Sequence, residues 1–550
     1  MLKDYYEKIL QQLRTDAAYL AERYPDLAVN LQRENTDPDV ARLLEGVALI
    51  AARQAEQMAA DRDEHTQGWL QAMAPELLLP LPAMVLAQAE VGAEVLAIKA
   101  GSAFASGSQD RQVAWQLAYD CTLLPLAPTA LTQTPQELCI VFTAMGDLAA
   151  FNKAIRVQLV GELNDSQALA YHLATRVTER TFEFADLCTT LPVSAWQPAY
   201  QVVDGSWLRS VDDSVRPSRP RWLQECWCLP QRVLAFDLDL SQVMARRQLM
   251  AGETFSLRLS LAQALPQQVD LNQLALNVLP LINLQPGMLL PFTRQADKSL
   301  YQLALADERL SVQQLVAIGS VSERLSDGNR HAYFPIAEAA RRGASDGVYQ
   351  LLRQNRHPQI QMRLDRPAPE AGLVMIDCVT HQGDNASRST TGTVLTGPVS
   401  GHLLCSPSQW IAAPDQQQAH WKLLHTQQSG QQRGDLSALV DLLHGLLPPE
   451  DSHFDERRRL LRSVEALHSL SVSAAPITRG TSIILGEEVI LSLDSDAFRT
   501  DADCWQFCLL IWQLLRGRLA INSVVALRVK DQKQQDILYW PSASGTRAVI

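Results

Sequence analysis

The sequence predicts a multidomain α+β chain: an N-terminal helical segment, then mixed β-rich domains, then an α+β C-terminal domain. Three observations carry this. Apolar residues recur three or four apart near the N-terminus, short β-branched runs between turn residues replace them beyond the Pro75, Pro80 and Pro82 cluster, and helical spacing returns among strands after Asp435. With 550 residues, 47% of them hydrophobic and 20% charged, there is material for roughly three or four hydrophobic cores.

Leu2, Tyr6, Ile9, Leu10, Leu13, Ala17, Leu20 and Tyr24 form one apolar stripe and predict a first helix that Pro25 ends. Asp37 offers an N-cap oxygen and Pro38 a pre-set first turn for a second helix carrying Val40, Leu43, Leu44, Val47, Ile50, Ala51 and Met58. A third helix is expected from Thr66 to Met73, closing a helical segment over residues 1–82. Strands are expected at Val113–Tyr119, Glu137–Thr143, Ile155–Val160 and Thr254–Leu261, with helical spacing over Asp165–Leu173. The polar stretch 203–221, with Gly205, Pro217 and Pro220, reads as a surface loop and marks a boundary. The expected divisions are therefore 83–220 (mixed α/β), 221–325 (β-rich) and 326–430 (irregular or β, with Thr380–Ser408 irregular). The C-terminal α+β domain, 431–550, carries a helix at Leu436, Leu439, Val440 and Leu443 and strands at Val464–Val472 and Ser482–Leu493. Its last helix, Asp501–Arg516, has an apolar face of Trp505, Cys508, Leu509, Trp512 and Leu515.

Composition excludes several function classes. Forty-eight basic against 60 acidic residues give −12, so no global positive field exists to hold nucleic acid. The opening MLKDYYEKILQQL lacks the order of a secretory signal, and the greasiest stretch, Leu274 to Phe292, is interrupted far short of the ~20 apolar residues of a membrane helix. No membrane insertion is expected. Nine thinly spread cysteines fit a reducing cytoplasm. No phosphate-cradling glycine loop ends in Gly-Lys-Ser/Thr, and Gly397-Pro-Val-Ser400-Gly401 has the wrong spacing for a nucleophile elbow. His420 and His425 are five apart and share no helical face; Cys226 with Cys228 (one face of a strand) and Cys504 with Cys508 read as small buried hydrophobes. Arg457, Arg458, Arg459 and Arg462 read as a solvated helix face balanced by Asp455 and Glu456, and Asp435 as a helix cap. No catalytic, cofactor or metal residue is therefore expected. A hydrolase built on His381, Asp384 and Ser387 is the competing enzyme reading, resting on their closeness in sequence alone.

Several strings together resemble the TssF family of the bacterial type VI secretion baseplate: Tyr5-Tyr6-Glu7, the Tyr24-Pro25 break, Asp37 through Gly46, and the Pro80-Leu81-Pro82 step. Ile155 to Leu173 is similar to that family's strand-glycine-helix segment, Trp227 to Leu238 to its aromatic, proline-containing strand, and Leu276 to Leu284 to its Pro-x-x-Asn-Leu block. Arg479-Gly480, Ala520 to Ser523, and Trp540-Pro541 through Arg547 extend the collinear series. Thr380 through Asn385 departs from the family's usual Thr-Asn-x-Asp-Leu-Pro turn, and 325–430 matches loosely, as a wedge protein of another contractile injection system or phage-like tail would.

The resemblance implies a mechanical role. Members form a wedge, two copies of TssF with one TssG, and join TssK and the sheath-initiating TssE around the VgrG spike, in a cytoplasmic baseplate docked at the inner-membrane complex. It further implies that Leu10, Leu13, Leu43, Leu44, Val47 and Ile50 enter an intermolecular helical bundle. Periodicity alone equally allows them to pack on the chain's own middle domains. For Asn283, Arg479, Asn522 and Arg547 local capping or surface pairing is the simpler expectation, and for Trp505 and Trp512 the core.

Overall fold

The computed structural model divides into two compact units, Met1–Met73 and Ala74–Ile550. It describes residues 2–24, 38–107, 112–148, 154–185, 187–199, 206–208, 219–241, 249–295, 297–336, 338–339, 347–353, 360–365, 372–414, 420–424, 435–448, 456–479, 482–518 and 524–544.

In the first unit α1 (Leu2–Arg23) packs against α2 (Pro38–Met73). The expected N-cap, Asp37, lies outside the described residues. The third helix expected at Thr66 is instead the end of α2, which runs unbroken for 36 residues, or about 54 Å. No proline or glycine cap falls between Met58 and Thr66, and local bonds keep the polar stretch helical: Thr66 Oγ1 donates to the Arg62 carbonyl at 2.8 Å, and Gln67 Nε2 to Asp63 Oδ2 at 3.0 Å.

The second unit is organised by sheets whose strands come from distant parts of the chain. A closed barrel takes Met84–Ala89, Val278–Ile282, Val113–Leu117, Ala103–Ser106, Val394–Thr396 and Gly401–Leu403 in that order, and fills with Val85, Trp115, Leu279, Leu281, Leu395 and Leu403. Its strands cross the expected limits at 220 and 325. The Thr380–Ser408 stretch, expected to be irregular, thus supplies two barrel strands. They are only three residues long, too short to show alternation. Gly397 and Gly401 bracket their turn because a Cβ there would lie 2.5 Å from the Phe104 ring and 2.1 Å from the Gln88 carbonyl oxygen.

Two asparagines tie the barrel down, by long-range bonds and not by the local capping expected of Asn283. That residue is fully buried, donates to the Ala114 carbonyl at 2.6 Å and accepts from the Gln382 N–H at 2.7 Å. Asn277, at φ +56, exchanges two 2.8 Å bonds with the backbone of Leu124. Of the other three, the Arg479 side chain, Asn522 and Arg547 lie outside the described residues.

A five-stranded antiparallel sheet joins Leu187–Thr190, Val177–Phe184, Thr254–Leu261, Glu137–Ala144 and Leu126–Thr134, with the inward Leu138, Ile140 and Phe142 in clean alternation. Next to it Ile155–Leu159 leads through Gly161 (φ +122) into α3 (Leu163–Thr175). The 203–221 stretch is not simply a surface loop: Ser206 to Leu208 are pinned to α4 (Arg219–Cys228), while 209–218 lie outside the described residues. The buried Glu225 carboxylate accepts from Ser206 Oγ (2.5 Å), the Trp207 N–H (2.8 Å), the Leu208 N–H (3.1 Å) and Arg232. Arg221, also buried, donates to the carbonyls of Leu79 and Pro80. Trp227 and Cys226 therefore end a helix, and the strand expected from Trp227 begins only at Ala235, after the Pro230 turn.

The C-terminal sheet, Leu467–Arg479, Ser482–Leu493, Val524–Lys530 and Asp536–Ser544, follows α5 (Leu436–Leu446) and α6 (Arg457–Glu465). Asp435 caps α5 as expected, accepting from the Ser437 N–H at 2.9 Å. Its one parallel pair requires a crossover, which α7 (Asp501–Arg518) supplies. Trp505 and Trp512 are core, as expected, yet α7 is not amphipathic: Phe507, Leu510, Leu514, Gln506 and Gln513 are buried too, because α3 and α4 cover it on other sides. The basic cluster of α6 is only half solvated. Arg458 and Arg462 are exposed, whereas Arg459 bridges Glu456 at 2.6 Å and Asp503 of α7 at 3.3 Å.

Glu225→Ala should cost about 3–5 kcal/mol in urea unfolding, since it strands the buried Arg232 guanidinium and the Trp207 and Leu208 N–H groups. Burial pushes the Cys226 thiol up to about 12 and those of Cys378 and Cys405 to about 11. In the native chain at pH 8.5, iodoacetamide should therefore label exposed Cys188 and spare Cys226. Above about pH 9 the unfolded chain releases thiol protons that the folded chain retains, so stability should fall as pH rises from there, read by thermal melting.

Candidate protein-interaction site

In the first half of α2 the apolar side chains are sorted by size. Through Ala55 its least exposed positions are Val40, Ala41, Leu44, Ala48, Ala51, Ala52 and Ala55, which at 100° per residue share one face, and beyond them Asp63, Thr66, Gln67 and Leu70 are buried. Small side chains on that face let α1 approach closely, and Arg14 reaches Glu45 at 3.6 Å across the pair. The larger side chains are on the neighbouring face. Leu43, Val47 and Ile50 stand there, 68%, 52% and 69% exposed, and Met58 and Trp69, which at 100° per residue lie in line with Val40 and Ala51, continue the exposed row at 65% and 62%. This reverses the usual ordering of a soluble helix.

The six candidates thus divide. Leu43, Val47 and Ile50 stand together on the exposed stripe, while Leu10, Leu13 and Leu44 are half-buried. Met58 and Trp69 extend the stripe toward the end of α2 and were missed as candidates. Their signal is the same spacing carried two further turns and more, hidden by the expected break before Thr66. Gly46 lies on the edge of the stripe, and no atom comes within 4 Å of where its Cβ would be.

Of the residues singled out for chemistry, Ser400, His381 and Asp384 have structural partners, while the Ser387 side chain and His425 lie outside the described residues. Ser400 Oγ donates to Glu90 at 2.7 Å in the barrel turn. His381 is buried, its Nδ1 accepts from the Gly383 N–H at 3.0 Å and its ring meets Trp410 at 4.8 Å, while Asp384 accepts from Trp410 Nε1 at 2.7 Å. The imidazole nitrogen that a triad carboxylate would orient is thus taken by backbone. A small cleft among α4, α6 and α7 is lined by Trp227, Phe507 and the paired Arg459 and Asp503. Among the described residues no group of His, Cys, Asp or Glu has metal-binding geometry, and no helix is long and apolar enough to cross a membrane.

A multidomain α+β chain that displays its largest aliphatic side chains along one long helix belongs to the class of structural assembly proteins. A family model described as type VI secretion system, TssF, matches residues 1–547. The chain belongs to the TssF family. It is 23% identical to the type VI secretion system component TssF1 of Pseudomonas aeruginosa over 637 aligned residues, covering 99% of each chain. A solved chain of a type VI secretion system TssK-TssF-TssG baseplate subcomplex is similar at a TM-score of 0.71 and 18% identity, over 92% of this chain and 99% of that one. A chain from a type VI baseplate complex is similar at 0.53 and 16%, over all of both. At these identities the structural likeness is one of fold.

Gly46→Ala should raise the stability of the chain by about 0.5–1 kcal/mol, since it lowers the entropy lost on forming an exposed stretch of helix, and a thermal melt of the two chains checks this.

Proposed function

We propose that the chain is a non-enzymatic wedge subunit of a type VI secretion baseplate and that the exposed stripe of α2 is its contact with partner helices. The observation that carries this is the row of Leu43, Val47, Ile50, Met58 and Trp69 left open to solvent on a helix whose alanine face is already used. A helix shows such a surface when a further helix is to cover it. Burying an aliphatic side chain is worth about 1.5–3 kcal/mol, so five such positions supply ample drive for association before its entropic cost is subtracted.

The similar solved chain belongs to a subcomplex with TssK and TssG, which makes TssG the first candidate for the helices covering the stripe and TssK a further partner. We further propose that a second copy of the chain, TssE and VgrG complete the surroundings and that the assembly docks at the inner-membrane complex from the cytoplasm. The same reading assigns the six original candidates unequal roles: Leu43, Val47 and Ile50 contact the partner, whereas Leu10, Leu13 and Leu44 hold α1 to α2.

Leu43→Asp with Val47→Asp should leave the melting temperature within about 2 °C, because exposed substitutions change stability by less than about 0.5 kcal/mol. The same variant should lose co-purification with the TssG of its own system. Retention of TssG at the wild-type yield would falsify the assignment of the stripe.

A further inference from the structure

A second exposed apolar surface lies on the sheet that joins Gln285–Met288, Leu373–Thr380, Leu315–Arg324 and Arg330–Pro335. Its inner face packs Val374, Ile376, Cys378, Val321 and Tyr333 into a core. The outer face carries the alternate residues, and the strand registers define who stands beside whom. Leu373 is opposite Thr293 on one side and Arg324 on the other, and Arg324 is opposite Arg330. One step along, Met375 is beside Ser322, and beyond it Asp377 lies between Met288 and Ser320. Met288, Leu373 and Met375 are exposed on this face by the register, and Leu290, also exposed, follows Met288 by two positions.

The charges on this face do not balance. Arg324 and Arg330 stand directly opposite each other, an arrangement that like charges disfavour, and neither has a hydrogen-bond or ion-pair partner among the described residues. The nearby acids are engaged: Asp377 accepts from Ser320 Oγ at 2.6 Å, and Asp327, in the turn between the two arginine strands, accepts from the N–H and side chain of Asn329. In a chain of net charge −12, two guanidiniums with no partner among the described residues, beside exposed apolar side chains, are a local departure. Guanidinium pairs select carboxylates by geometry, and methionine adapts to irregular apolar partners.

We propose that this sheet face is a second docking surface, distinct from the α2 stripe, that takes a polypeptide segment of a different protein in which carboxylates adjoin apolar side chains. The carboxylates lie on Arg324 and Arg330, and the apolar side chains cover Met288, Leu290, Leu373 and Met375. The same face of a second copy is the wrong occupant, because each face brings two arginines and one aspartate that is already bonded. Charge complementarity across such a rim sets which partner binds and how fast.

The test is a photo-cross-linking amino acid, p-benzoylphenylalanine, at position 375 of the full-length chain in cells carrying the whole secretion system, with the cross-linked segment sequenced by mass spectrometry. The expected product joins Met375 to a segment of another protein holding at least two Asp or Glu beside apolar residues. Arg324→Glu with Arg330→Glu should cut its yield about tenfold, and basic residues at the acidic positions of that segment should restore it. The variant chain should still co-purify with TssG through α2, which separates failure here from failure of the stripe. Absence of a cross-link, a cross-link to a second copy or to a segment without acids, or a yield indifferent to the charge reversal overturns the proposal.

Discussion

Two helices packed together bury one face of each and no more, and this limit governs the N-terminal unit. In α2 the face turned toward α1 is built largely of alanine, so the pair approaches closely but removes little apolar area from water. Leu43, Val47 and Ile50, with Met58 and Trp69, stay in solvent as a result. A sequence selected only to stabilise the pair would place leucine where Ala48 and Ala52 are. The opposite choice leaves an apolar stripe exposed, and the proposed contact with partner helices rests on that exposure.

The second unit meets a different demand, that of holding together strands far apart in the chain. The barrel has no free edges, so it offers no unpaired backbone to neighbouring copies of itself. Its closure is held by polar side chains that reach across long stretches of sequence. Ser408 accepts from the Met84 N–H at 2.9 Å across 324 positions, and Asn283 bonds both the Val113–Leu117 strand and the segment after Thr380. Glu225 plays the same part for the Trp207 segment. Such buried groups are costly when half satisfied and rigid when fully satisfied.

Membership of the TssF family rests on a match running almost the whole chain, although identity to the Pseudomonas aeruginosa relative is 23%. The strings that carried the resemblance are of two physical kinds. Asn277 and Gly161 occupy backbone conformations that few other residues tolerate. Leu43, in the Asp37 through Gly46 block, is 68% exposed and is assigned to the proposed partner contact.

Periodicity along the chain was enough to read α1, most of α2, the alternating strands such as Glu137–Ala144, the cap at Asp435 and the final helix, because each depends on residues within about four positions of one another. The break expected at Thr66 failed because polar i,i+4 bonds sustain a helix as well as apolar ones do. Sheet membership was not legible: nothing in Gly401–Leu403 announces that it pairs with Met84–Ala89. Nor was the burial of Glu225 and Arg459, whose partners lie on other elements. For the candidate site, the sequence by itself determined which residues share a helical face. Only the tertiary structure decided that Leu44 is half covered while Leu43, one position away, is open, because covering is settled by a neighbouring helix and not by the order of residues along its own.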